Sequence, residues 1–144
     1  MKQFVTLILC FYSIGTLTGQ ELSKDSYMAF KGDNVSALKI RLNTDQINAC
    51  YEVNDATYTL LAISIKMNAA KCLTHLMSQE NIDLNKTCGG KTAAQYTAKY
   101  GNLEMLKQLK EAGADFSNKI NGRSVLDYAK KYKQEEIIHY LSKV

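Results

Sequence analysis

Little in this sequence is equipped to make or break a bond. Its 144 residues hold two histidines and four cysteines, but no Gly-x-Ser-x-Gly elbow, no phosphate-cradling glycine loop and no His-Glu-x-x-His pair. The residues that do recur are cationic and aromatic. Lys66-Met67, Lys99-Tyr100 and Lys131-Tyr132 form one repeated pair, and Tyr58, Lys91 and Arg123 each precede a Thr or Ser. Such side chains bind rather than react: tyrosine and arginine concentrate binding energy, and lysine steers charge. The chemistry to expect is non-covalent, without an enzyme's catalytic residues, a metal or a cofactor.

The elements that position these residues are best marked between Gly90 and Asp115. Thr92 can cap a helix that runs to Tyr100 and stops at Gly101. A second helical pattern places Leu103, Leu106 and Leu109 on one face and stops at Gly113. The unit repeats along the chain. Gly122-Arg123-Ser124 follows Gly90-Lys91-Thr92 at a spacing of 32 residues, with Ile137, Ile138 and Leu141 in place of Met105, Leu106 and Leu109. Thr59-Leu60-Leu61-Ala62 precedes Thr92-Ala93-Ala94-Gln95 by 33, with Asn68 for Gly101 and Ala70, Cys72, Leu73 and Leu76 along the second helix. A degenerate first unit spans about residues 22–49, where Phe30-Lys31-Gly32-Asp33 marks a helix end and Val35, Leu38 and Leu42 a second helix. Its register is ambiguous by one residue, which leaves Lys31 a candidate fourth member of the lysine column. Glu135 stands where Leu103 would meet a following unit, as expected of a C-terminal cap. His75 and His139 fall on second helices at the positions of Gln108 and Lys107, outside the leucine face, and are expected to be solvated.

Gly90-x-Thr92, Ala98-x-x-Gly101-x-Leu103-Glu104 and Gly113-Ala114-Asp115 together resemble an ankyrin repeat. The resemblance implies an all-α solenoid of helix–turn–helix units joined by short β-turn fingers, over residues 20–144, with units of about 22–49, 50–85, 86–117 and 118–144. One such unit cannot bury its own apolar face, so neighbours must stack on it. The chain departs from the family in lacking its proline (Leu60, Ala93 and Val125 stand there) and its histidine (Ala62, Gln95 and Asp127). Both departures are expected to weaken local turn rigidity. The finger at Cys50–Tyr58 is longer than the family's by about three residues.

The resemblance also assigns roles. In this family the finger tips and the exposed ends of the first helices form a concave binding face. On that basis Tyr58, Lys66, Met67, Lys91, Lys99, Tyr100, Arg123, Lys131 and Tyr132 are the candidate contact residues, and the partner is a protein with an acidic, partly apolar surface. A lysine at a helix C-terminus is also favoured by the helix dipole alone. Stacked fingers run side by side, so Cys50 and Cys88 are candidates for a disulfide, against the alternative that Cys50, Cys72 and Cys88 are all free thiols. Cys72 takes an apolar second-helix position, where a small buried thiol is the ordinary state.

Residues 1–19 read differently. Lys2, an apolar run from Phe4 to Ile14 and the small neutral stretch Gly15–Gly19 have the three-part layout of a secretory signal peptide, with cleavage expected near Gly19. The run is short for a bilayer span, and Leu9 before Cys10 argues against a lipid anchor. Removing Lys2 lowers the net charge of +4 by one. So mild a charge, on an exported chain, argues against nucleic acid as the partner. Export to a periplasm, if the host is Gram-negative, or secretion otherwise, is the expected localisation. Two roles fit a small exported protein-binding chain: an immunity protein covering the cleft of an incoming toxin, or an accessory to an envelope enzyme in stress defence. The sequons Asn34-Val-Ser and Asn85-Lys-Thr occupy positions that helix capping and the closing turn already explain.

Overall fold

The computed structural model describes residues 19–144. All of the expected signal sequence except Gly19 lies outside the described residues. Within them, short helices come in four packed pairs: α1 (Lys24–Lys31) with α2 (Val35–Arg41), α3 (Leu60–Lys66) with α4 (Ala70–Met77), α5 (Ala93–Tyr100) with α6 (Leu103–Glu111), and α7 (Val125–Lys131) with α8 (Glu135–Ser142). The first helices α3, α5 and α7 pack in a row, and the second helices α2, α4 and α6 form a parallel row behind them. Among the described residues no helix exceeds nine residues, a length that is marginal in water without tertiary support.

Local sequence chemistry sets the ends. Ser23, Asn34, Thr59, Thr92, Asn102 and Ser124 each accept a backbone N–H in the first turn of the helix that follows. Thr92 with Gln95, and Ser124 with Asp127, form reciprocal capping boxes. The Ser124 backbone N–H and then its hydroxyl hold the Asp127 carboxyl below its usual range. Between the helices of each pair the chain passes through one residue of left-handed conformation: Asp33 (φ 47°), Asn68 (55°), Gly101 (73°) and Lys133 (56°). This settles the register of the first unit. Asp33 stands at the Gly101 position, so Lys31 aligns with Lys66, Lys99 and Lys131, and Gly32 with Tyr100.

Neighbouring pairs finish what each pair leaves incomplete. Ala69 cannot cap α4, and the Asp33 carboxylate of the preceding pair does so, accepting from the backbone N–H groups of Lys71 (3.1 Å) and Cys72 (2.9 Å). Asn102 donates to the Asn68 amide oxygen at 2.9 Å, and Gln134 donates to the Lys99 carbonyl at 3.4 Å. On the finger side, the Asn48 amide donates to the Asn81 carbonyl and accepts from the Asp83 N–H, while Asn85 accepts from the Asp115 N–H. Gln95 also donates to the Arg123 carbonyl at 2.8 Å, so the residue expected to weaken its turn instead ties two units together.

The fold is mostly helical rather than all-α. The long finger is a true hairpin, β2 (Tyr51–Val53) and β3 (Ala56–Tyr58), turned by Asn54 and Asp55 with φ of 50° and 61°. Two consecutive positive φ angles suit the twist of a two-residue hairpin, and Asn-Asp tolerates them. β1 (Gln20–Glu21) adds to β2 in parallel, with the Gln20 N–H donating to the Cys50 carbonyl at 2.8 Å. The three extra residues noted in the sequence are what make this sheet possible. Between the helix rows, Phe30, Leu38, Leu61, Ile63, Leu73, Leu76, Met105, Leu106, Leu109 and Ile137 form one continuous buried core.

If Asp33 is the cap of α4, replacing it with Gly removes both bonds while keeping the left-handed turn unstrained. Asp33→Gly is expected to cost about 1–2 kcal/mol, and Asp33→Asn, which retains an acceptor, less than that. Urea denaturation midpoints of the three proteins check the order.

Candidate functional site

Each first helix from α3 to α7 carries a lysine in its last turn, where the carbonyl end of the helix favours a cation. On α5 and α7 a tyrosine also recurs at a four-residue spacing, which places two rings on one face of a helix. Tyr96 and Tyr100 stack with centroids 6.1 Å apart and planes at 11°, and Tyr128 and Tyr132 at 6.4 Å and 6°. The finger residue Tyr58 leans on Tyr96 at 5.5 Å.

The lysines lie between rings of successive units. Lys66 Nζ is 5.2 Å from the Tyr58 centroid and 5.8 Å from that of Tyr100. Lys91 stands 5.7 Å from Tyr96 and 5.9 Å from Tyr128, and Lys99 stands 5.4 Å from Tyr100 and 5.9 Å from Tyr132. Lys131 closes the series 5.5 Å from Tyr132. The result is a ladder in which cations and rings alternate across three units. Burial pulls the pKa of Lys66 down, but the phenol oxygens of Tyr100 and Tyr58 outweigh it and the net shift is upward. Burial first, and the neighbouring rings Tyr58, Tyr100 and Tyr128 after it, push the Tyr96 phenol up. At neutral pH Lys66 is therefore a cation and Tyr96 a neutral ring.

Among the described residues the ion pairs are Arg41–Asp25 at 3.3 Å and Lys107–Glu104 at 3.0 Å, neither of which involves a ladder lysine. A cleft of about 580 Å³ beside Lys66 and Tyr100 is also lined by Glu104 and Glu136.

The structure distributes the sequence candidates unevenly. Lys66, Lys91, Lys99, Tyr100, Lys131 and Tyr132 share the ladder, and Tyr100 is 40% exposed. Tyr58 is in it as a floor: only 8% of it is exposed, beneath Lys66. Met67 caps α3 and packs half-buried on the core, and Arg123 is exposed on the last finger, paired through its backbone to Ile120. Lys31 is exposed at the end of α1, where Gly32 offers it no ring. Sequence reasoning missed Tyr96 and Tyr128, the two rings on which Lys91 sits. The Tyr-x-x-x-Tyr spacing in both units was the available signal.

Two further expectations concern chemistry away from the ladder. Cys50 and Cys88 stand at disulfide distance with Cα atoms 5.7 Å apart, cross-linking the long finger to the next one. Cys72 is a buried thiol, pushed up to about 12 by burial first and then by the Asp33 carboxylate. His139 is exposed as expected. His75 is only half so, and burial, followed by nearby Lys39, lowers its pKa. Among the described residues no group of three or more His, Cys, Asp or Glu is placed to hold a metal ion.

Residues 60–144 match the family model described as ankyrin repeats (3 copies). The chain belongs to the ankyrin-repeat family. Members of this family are typically non-catalytic and are generally protein–protein interaction modules. A comparison with curated proteins gave no match.

The cysteine arrangement makes a direct prediction. Denatured, unreduced protein lacking residues 1–18 is expected to take one alkyl group, on Cys72, and three after reduction. Three before reduction would remove the bridge. With the two cysteines 38 residues apart, Cys50→Ala/Cys88→Ala is expected to lower stability by about 3–4 kcal/mol, read from the denaturation midpoint.

Proposed function

We propose that this chain is an exported, non-catalytic binding module that holds an acidic protein through its finger and first-helix face. Residues 1–19 serve as the signal peptide, and the repeat domain of residues 20–144 is delivered to the periplasm of a Gram-negative host, or secreted by another. The observation that carries the binding reading is the lysine–tyrosine ladder: ordered cations on aromatic rings, with no ion-pair partner of their own among the described residues. Two observations support export. The N-terminal sequence has the signal layout, and a cysteine pair at disulfide distance suits an oxidising compartment. Among the described residues no helix is long and apolar enough to cross a membrane.

The test is capture on the tagged protein from its native envelope, compared with the Lys66→Glu/Lys99→Glu/Lys131→Glu variant. A stoichiometric protein held by the native chain and lost by the variant is the expected result, and it would identify an accessory role at the envelope. Equal retention by both would overturn the charge argument. If the native chain captures nothing resident, the immunity reading takes precedence. It requires a tight complex with an incoming toxin, sensitive to the same three substitutions.

A further inference from the structure

The ladder has a period as well as a charge. Its rungs are set by the packing of α3, α5 and α7, and neighbouring packed helices lie about 8–10 Å apart. Lys66, Lys99 and Lys131 are carried on or at the ends of these stacked helices, and successive lysines share a ring, Tyr100 between the first two and Tyr132 between the last two. A partner that satisfies the lysines must offer carboxylates at the same interval, on one side only. The Glu104 and Glu136 carboxylates bounding the cleft beside Lys66 would repel acid presented on a second side.

A β-strand meets this poorly. Its rise of about 3.3 Å per residue puts the third residue at the right distance but on the opposite face. Polyproline-II conformation meets it well: three residues make one turn and advance about 9 Å, so every third side chain lies on the same face. The two intervening residues of each turn then fall toward the tyrosine rings. Aromatic grooves take up this conformation readily because its ordering cost is small. The exposed ring of Tyr100 lies between Lys66 and Lys99, and the half-buried ring of Tyr132 lies beside Lys99 and Lys131.

Resting on the binding reading above, we propose that the ladder recognises an extended, polyproline-II segment of a protein that carries a carboxylate at every third residue.

Dye-labelled peptides test this by fluorescence anisotropy on the purified protein. The first is four Glu-Pro-Pro triplets. The second has the same composition with the glutamates adjacent. The third is an Ala/Gln helix with glutamate at every seventh residue, and the fourth probe is a single-stranded oligonucleotide of equal charge. The triplet peptide is expected to bind about tenfold tighter than the adjacent-glutamate peptide, and Lys66→Gln/Lys99→Gln is expected to remove about that factor while the helical circular-dichroism signal is retained. Equal binding of both proline peptides, lost in the variant, would overturn the spacing and leave the acidic-partner reading standing. Tighter binding of the helix or the oligonucleotide would overturn the segment class. No binding by any probe would overturn the proposal, while envelope capture decides the broader reading separately.

Discussion

The described helices are too short to stand alone in water. Each is two to two and a half turns long, so most of its backbone groups lie within reach of an unsatisfied end. The fold answers this with local caps and with side-chain bonds from one helix pair to the next. Asp33 supplies the acceptor that Ala69 lacks, Asn68 and Asn102 bond amide to amide, and Asn48 and Asn85 close the turns of their neighbours. Stability of this kind is shared between adjacent units, and losing one link loosens two of them. The Cys50–Cys88 pairing belongs to the same scheme. It ties the longest finger, the one with most backbone to order, to the finger that follows.

The same constraint builds the candidate site. Once the units stack in a fixed register, any residue repeated in sequence is repeated in space at the packing distance of the helices. The ladder is thus a surface consequence of how the interior is satisfied. Its energetics favour order over strength. Each lysine–ring contact at an exposed site contributes about 0.5–1 kcal/mol, less than the rotamer entropy a lysine loses when fully fixed. The contacts narrow the positions of the ammonium groups without locking them, which would lower the ordering cost of binding the anionic partner proposed above.

Much of the fold was legible because its signals are local. Thr92 and Gly101 bracket α5, and the Leu103, Leu106, Leu109 face of α6 recurs in α4 and α8 as the structure has it. The hairpin was not legible as a sheet. Its extra residues were visible, but β1 pairs with it from thirty residues away, and nothing in Gln20-Glu21 marks a strand. The first unit's register was hidden because Gly32, the obvious turn residue, is not the left-handed one; Asp33 is, and it is held there by its bonds to the next unit. At the site, the lysine column could be read from spacing. The rings beneath it could not be read so easily, because a tyrosine inside a helix looks like core until its neighbour four residues on is considered.

The helix dipole is sufficient reason for a lysine at the end of each first helix, and Lys31 shows the bare case: the cation is present with Gly32 beside it and no ring. The dipole gives no reason for the tyrosines. At the position of Tyr96 and Tyr128 the second unit has Ile63, fully buried, so the fold accepts an aliphatic side chain there. At the position of Tyr100 and Tyr132 the first unit has glycine and the second methionine. Packing alone therefore requires neither ring, yet both helices carry both rings, stacked, with a lysine of the adjacent finger or helix over each pair. In the second unit, where Ile63 supplies no ring, Tyr58 brings one from the finger and Lys66 sits over it. Two different positions converging on the same cation–ring contact is the feature that packing and dipole leave unaccounted for, and it is what the proposed binding role would explain.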